Sequence, residues 1–317
     1  MKTRSIERRS VVKFMAAAAI AAAVPTGLRA AGASPGTSTA TTGMAMRKVP
    51  RSGEAVPVIG MGSSNTFDVG TAAAERAPLG EVLRALVTGG GTVIDTSPMY
   101  GRAETVIGDL VHDLGLRPRL WLATKVWTRG RAAGAAQIEQ SYARLRTTKL
   151  ELLQIHNLLD WREHVPTIRA LQESGRLRYA GITHYRADAH AELERVLVAE
   201  RFDWLQVNYS LAEPEAAARL LPLCLDKGIA VMVNRPFADG ALFDRVRGKP
   251  LPPWAAELGC ASWGQFFLRW IAAHPAVACI IPATSKPRHM ADNVAAGLAP
   301  LPDEAQRQRM TKFWATL

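Results

Sequence analysis

From Met46 onward the chain alternates short, almost wholly apolar runs with longer segments whose apolar residues recur every three or four positions. A short hairpin comes first: Arg47 to Val49, a turn at Ser52-Gly53, then Glu54 to Val56. The apolar runs that follow are Val58–Met61, Thr92–Asp95, Leu120–Thr124, Leu152–Ile155, Tyr179–Ile182, Trp204–Val207, Ala230–Val233 and Ala278–Ile281. Runs with no polar side to turn towards water predict parallel strands buried on both faces. Between them, Leu79–Val87, Glu104–Leu114, Ala136–Leu145, Val165–Gln172, Asp188–Ala199, Glu215–Asp226 and Ser262–Ala273 carry helical spacing. A Gly or Asn often follows such a segment as a C-cap. Eight strands returning through helices predict an α/β fold of the (β/α)8 TIM barrel type with a short N-terminal β-hairpin. A doubly wound sheet fits less well, because no GxGxxG follows the first strand.

The residues before the hairpin do not follow this pattern. Glu7-Arg8-Arg9-Ser10-Val11-Val12-Lys13 is basic, Phe14 to Val24 is an alanine-dominated apolar run, and Ala31-Gly32-Ala33 is a small-residue cleavage signal. That order predicts a secretory leader over residues 1–33, and its Arg8-Arg9 pair predicts the twin-arginine type, with an ordinary secretory leader as the other reading. The apolar run is too short for a stable membrane anchor. Residues 34–45 are small and polar and predict a linker, which leaves 46–317 as one catalytic barrel. The expected location is therefore outside the cytoplasm, periplasmic or extracellular, with the export machinery as a partner of the leader.

Charge changes the picture less than its size suggests. The chain carries a formal +11, of which Lys2, Arg4, Arg8, Arg9, Lys13 and Arg29 against Glu7 place +5 in the leader and leave +6 elsewhere. The remaining cations are interspersed with carboxylates and form no basic run between aromatics, which argues against nucleic-acid binding. Cys224, Cys260 and Cys279 are far apart, show no metal-ligand spacing and read as buried thiols, although sequence leaves open whether any two pair.

In such a barrel the functional groups sit at the carboxyl ends of the strands. Asp95 ends the second predicted strand, Lys125 follows the third, His156 follows the fourth, and Tyr100 lies in the loop five residues past Asp95. Nothing in the apolar period calls for polar groups there. Together they suit carbonyl reduction, in which a proton must reach the oxygen as a hydride adds to the carbon. Tyr100 would donate that proton, Lys125 would lower its pKa, Asp95 would hold Lys125, and His156 would orient the carbonyl. Taken singly each has a bland reading: a turn cap, a solvated strand end, a core histidine. Their order and common location favour the catalytic one.

The segment Asp95-Thr96-Ser97-Pro98-Met99-Tyr100-Gly101, the later Lys125, and Leu152-Leu153-Gln154-Ile155-His156-Asn157 resemble the aldo/keto reductase family. The resemblance extends from about Met46 to the C-terminus. It implies an NAD(P)H-dependent oxidoreductase acting on aldehydes or ketones, with Tyr100 as acid. It also implies cofactor contacts: Thr183, His184 and Gln206 at the nicotinamide, Asn234 and Arg235 after the seventh strand, Thr284, Ser285, Lys286 and Arg288 at the phosphates, and Asn293 at the adenine. The sequence departs from the family pattern in three respects: Thr183-His184 replaces Ser-Asn, Asn234-Arg235-Pro236-Phe237 lacks the stacking Tyr, and Ala283 and His289 replace the usual 2′-phosphate ligands. Lys286 and Arg288 would substitute, so NADPH is expected over NADH. A cofactor-binding sensor on the same fold is the alternative, disfavoured because Tyr100 and Lys125 are both present. A metal-dependent hydrolase lacks its His-x-His pair at Ile59-Gly60-Met61-Gly62. Substrate walls are expected from Gly62–Pro78, Trp127–Ala133, Leu158–Glu163 and Phe237–Pro253, with Trp127 and Trp161 on the rim.

Overall fold

A computed structural model describes residues 43–317; the predicted leader, and all but the last three residues of the predicted linker, lie outside them. The hairpin is β1 (Met46–Lys48) and β2 (Ala55–Pro57), antiparallel. The barrel then runs β3 (Met61–Gly62), α1 (Ala73–Thr88), β4 (Val93–Asp95), α2 (Ala103–Asp113), β5 (Trp121–Val126), α3 (Arg131–Arg144), β6 (Leu150–His156), α4 (Trp161–Glu173) and β7 (Leu177–Thr183). It continues with α5 (His190–Ala199), β8 (Trp204–Asn208), α6 (Leu220–Lys227), β9 (Ala230–Asn234), α7 (Ala241–Arg245), α8 (Trp263–Ala272), β10 (Val277–Ile280), α9 (Pro287–Ala295) and α10 (Glu304–Ala315). Strands β3 to β10 form one parallel eight-stranded sheet in sequence order. Bridges from Ile59 to Ile280 and from Gly62 to Ala283 close it into the expected barrel.

Gly60 and Gly62 permit this closure. A Cβ on Gly62 would lie 2.8 Å from the Ile281 carbonyl oxygen, and one on Gly60 2.8 Å from Val93. The first strand is consequently shorter than its apolar run, because glycines chosen for close approach pair over fewer residues.

Strand alternation sorts the interior. Leu153, Ile155, Ile182, Leu205, Val207 and Val231 pack outward into the shell of helices. Val93, Trp121, Leu152, Tyr179, Trp204 and Ala230 fill the barrel's lower interior in a separate cluster, which Val49 and Val56 at the hairpin complete. Higher on the same inward faces stand Asp95, Lys125, Gln154, His156, Thr183 and Gln206, all buried. The inside of the barrel thus changes from apolar to polar towards the strands' carboxyl ends.

Several helices depart from the sequence expectation. Helices α1 and α4 begin earlier and contain Pro78 and Pro166. Both prolines are exposed, so water can take the carbonyl that each leaves without an N–H partner. The segment predicted as one helix from Glu215 is broken into a 3-10 turn at Glu215–Ala218 and α6. Pro222 explains the break: a continuous helix would drive its ring into the Ala218 carbonyl. Packed structure also starts at Gly43, ahead of Met46: Ala45 N–H donates to Gly297 O, and Ala299 N–H to Gly43 O. The three cysteines are buried and unpaired. Among the described residues no helix is long and apolar enough to cross a membrane.

Candidate active site

The polar strand ends surround a cavity of about 680 Å³. Beneath it lies an ion pair with no contact with solvent on the lysine side. Lys125 Nζ donates to Asp95 Oδ2 at 2.5 Å and to the Thr96 carbonyl at 2.8 Å, with Lys125 fully buried and Asp95 2% exposed. The carboxylate's other oxygen accepts from Gln154 Nε2 at 3.0 Å and Gln206 Nε2 at 2.9 Å. Four hydrogen bonds from three donors in and around one buried pair meet the condition under which burying charge is tolerable. Removing one partner would strand the other.

Tyr100 borders the cavity above this pair, its ring centre 5.0 Å from the Lys125 ammonium. Burial pushes its hydroxyl pKa up; Lys125 pulls it down and Asp95 pushes it up, and the net direction is upward. The expected lowering by Lys125 is therefore present but outweighed, and Tyr100 holds its proton at neutral pH. Burial works against the Lys125 ammonium, yet Asp95 and then Tyr100 outweigh it and its pKa is raised. His156 packs edge-on to Tyr100, centroids 5.9 Å apart, and its Nδ1 shares a 3.1 Å hydrogen bond with Ser97 Oγ. Burial, then the Lys125 charge, pushes its pKa down to about 2. It is a neutral imidazole, with one ring nitrogen a donor and the other an acceptor.

Of the cofactor candidates, Thr183, Gln206, Asn234 and Arg235 line the same cavity. Thr183 Oγ1 donates to Gln206 Oε1 at 3.0 Å, so Gln206 joins the cavity floor to Asp95. His184 is set back from the lining and stacks on Tyr185, centroids 5.5 Å apart and planes within 3°. Arg235 sits at the wall with its guanidinium engaged: Nε donates to Asp239 at 3.0 Å, Nη1 to Glu213 at 3.1 Å and to the Tyr185 carbonyl at 2.8 Å. Thr284, Ser285, Lys286, Arg288 and Asn293 lie outside this cavity. Thr284 Oγ1 accepts from Lys286 N–H where α9 begins, Asn293 is buried within α9, and Arg288 borders a separate groove between α1 and α9.

The residues fit a nicotinamide dinucleotide. Asn157 Oδ1 and Asn234 Oδ1 are buried without partners although both residues line the cavity, and spare acceptors are what a carboxamide NH2 needs. Exposed Lys286 and Arg288 at the start of α9 offer charge and helix N–H groups to phosphates.

Sequence reasoning missed Gln154, Asn157 and Tyr185. Gln154 carried a readable signal, being polar in the middle of a doubly buried strand; Gly181 opposite it leaves the room, since a Cβ there would stand 3.1 Å from Gln154 Cγ. Of the two expected rim tryptophans, Trp127 lines the cavity. Trp161 does not: it packs against the core at the start of α4, under Arg162.

A closed parallel barrel with its polar pocket at the carboxyl ends of the strands defines the class: a (β/α)8 barrel enzyme. The profile described as the Aldo/keto reductase family matches residues 58–314, and the chain belongs to that family. The methylglyoxal reductase YeaE of Escherichia coli (strain K12) is 29% identical over 260 residues, spanning 80% of this chain and 89% of that one. An aldo/keto reductase from Klebsiella pneumoniae, solved in complex with NADP and acetate, aligns over 83% of this chain and 93% of its own at 28% identity and TM-score 0.66. The holo form of an aldo-keto reductase from Bacillus halodurans aligns over 85% of this chain and 96% of its own, with TM-score 0.69 at 22% identity, a likeness of fold alone.

Proposed function

We propose that this protein is an exported NADPH-dependent carbonyl reductase in which Tyr100 gives its proton to the carbonyl oxygen. The carrying observation is the buried Lys125–Asp95 pair, 2.5 Å between its charged atoms, beneath Tyr100. The nicotinamide cofactor, when bound, supplies the hydride. The carbonyl carbon gains that hydride and the oxygen gains the Tyr100 proton, so the products are an alcohol and the oxidised dinucleotide, and solvent reprotonates Tyr100.

As the proton leaves Tyr100, negative charge grows on its oxygen next to a fixed ammonium. Lys125 therefore acts most strongly in the transition state, where stabilisation raises turnover. Asp95 keeps Lys125 charged and aimed, and Gln154 and Gln206 keep Asp95 in place. Neutral His156 orients the carbonyl oxygen by an N–H donor without competing for the proton. Thr183, His184, Gln206, Asn234 and Arg235 are assigned to the nicotinamide end of the cofactor site, and Thr284, Ser285, Lys286, Arg288 and Asn293 to the phosphates and adenine.

The decisive test is Tyr100→Phe, which keeps the ring and removes one hydroxyl. Folding and NADPH binding are expected to survive while carbonyl reduction falls by about 10²–10⁴-fold. Near-normal aldehyde reduction by this variant would overturn the assignment, and tight NADPH retention without turnover in the unaltered protein would favour the sensor alternative. Export rests on the leader at residues 1–33 and the linker that follows.

A further inference from the structure

Resting on the reductase reading, we infer that Gln137, on helix α3 and away from the cavity lining, is a positioning residue for the reduction: its side-chain amide clamps the backbone of Trp127 and so fixes that ring against His156.

Trp127 is the first residue past β5, two beyond Lys125, and it lines the cavity. Its ring centre stands 6.4 Å from that of the His156 imidazole, the planes tilted by 57°. Tyr100 meets the same imidazole edge-on, so the histidine packs with two aromatic rings while Ser97 holds its Nδ1. A shift of Trp127 therefore changes both the space open to a carbonyl group and the support of the imidazole that orients it. Yet the Trp127 side chain is 40% exposed, and burial alone holds a half-open ring weakly. Its place has to come from the backbone.

Gln137 supplies that hold. Trp127 N–H donates to Gln137 Oε1 at 2.6 Å, and Gln137 Nε2 donates to the Trp127 carbonyl at 3.1 Å. A carboxamide presents an acceptor and a donor side by side, so one side chain meets both backbone groups of one residue, as a neighbouring strand would. The clamp carries the order of β5 one residue further, into the cavity wall. The residues that follow are held as well. His164, 1% exposed, donates from Nε2 to the Thr128 carbonyl at 2.9 Å. Gly134 leaves room for its ring, since a Cβ there would fall 2.4 Å from Nδ1. Asp160 accepts from Gly130 N–H at 3.0 Å. Trp127, Thr128 and Gly130 are thus pinned from α3, from α4 and from the residue before it, and of the three Trp127 alone lines the cavity. Misplacing a reacting group by about 1 Å can cost roughly 10²-fold in rate, so a loosened Trp127 reaches turnover through the carbonyl that it and His156 hold.

Gln137→Leu removes both hydrogen bonds and keeps a helix-forming side chain of similar length. With 4-nitrobenzaldehyde as the probe, its kcat/KM is expected to fall by about tenfold, while NADPH affinity, read by fluorescence titration, stays within a few-fold of the unaltered protein. Acrylamide quenching of Trp127, isolated as the difference between proteins with and without Trp127→Ala, should rise in this variant. The deciding measurement is a cycle. Once Trp127→Ala has removed the ring through which Gln137 acts, adding Gln137→Leu should change kcat/KM by less than about twofold. Gln137→Glu keeps the oxygen that receives Trp127 N–H and loses the donor, so its loss should be smaller than that of Gln137→Leu, and it carries the same cycle if Gln137→Leu folds poorly. Additive losses in the cycle would overturn the inference and leave the reductase reading standing. So would an unchanged kcat/KM in both Gln137 variants. Failure of the unaltered protein to reduce the aldehyde with NADPH bound would instead sink the reductase reading, and this inference with it.

Discussion

At the scale of single residues, the proposed chemistry hangs on a proton held by Tyr100 and a charge held by Lys125. Lys125→Met should lower turnover about as much as the loss of the Tyr100 hydroxyl, and the double variant should be little worse than either single, because both damage one proton transfer. Strictly additive losses in steady-state assays would separate the two residues. His156 supplies a pH signature. Its folded pKa is about 2, whereas an unfolded histidine takes a proton near pH 6.5, so on acidification the unfolded chain binds that proton first. The stability this group contributes is fully present above about pH 6.5 and is lost as pH falls from there towards 2, at up to about 1.4 kcal/mol per pH unit. Urea midpoints taken between pH 7 and 4 should therefore fall less steeply in His156→Gln than in the unaltered protein. Asp95, Tyr100, Lys125 and His156 were all legible in the sequence, because polar residues at the ends of apolar runs have no packing reason to be there. Gln137 was not, since its meaning depends on the Trp127 backbone, which it meets only once the chain has folded back from β5 into α3.

At the scale of elements, the strands were legible because each is a short apolar run, and their ends carry the site. The helices were read less well, since helix starts depend on whether a proline's orphaned carbonyl reaches water, which spacing does not reveal. The α2 helix ties the Tyr100 loop to the neighbouring strand: buried Glu104 accepts from Thr124 Oγ1 at 2.6 Å, one residue before Lys125. Gly108 lets this helix lie against the end of α3, where an added Cβ would fall 2.0 Å from the Arg144 carbonyl oxygen. Gly108→Ala should cost about 1–3 kcal/mol in chemical denaturation, as overpacking does, and should lower turnover by moving Tyr100 relative to Lys125. An unchanged midpoint would mean that the two helices separate freely. The start of α9 is where the proposed cofactor preference can be tested. Replacing Lys286 and Arg288 by alanine should weaken NADPH more than NADH in fluorescence titrations; equal weakening would show that these side chains do not read the 2′-phosphate.

At the scale of the whole molecule, the barrel was legible from the regular alternation of runs, whereas its closure through two bridges beside Gly60 and Gly62 was hidden in a strand that looked longer. The proposed leader predicts that replacing Arg8-Arg9 by Lys-Lys leaves the precursor inside the cell while the reductase remains folded; unchanged secretion would rule out the twin-arginine route. The hairpin has a consequence for kinetics. With Val49 and Val56 packed onto Trp121, Tyr179 and Trp204, the lower end of the barrel is sealed by side chains, and Tyr179 is fastened there by a 2.6 Å hydrogen bond to Glu54. With that end closed by the described residues, the proposed reaction has one mouth, and the alcohol leaves by the passage through which the next aldehyde arrives.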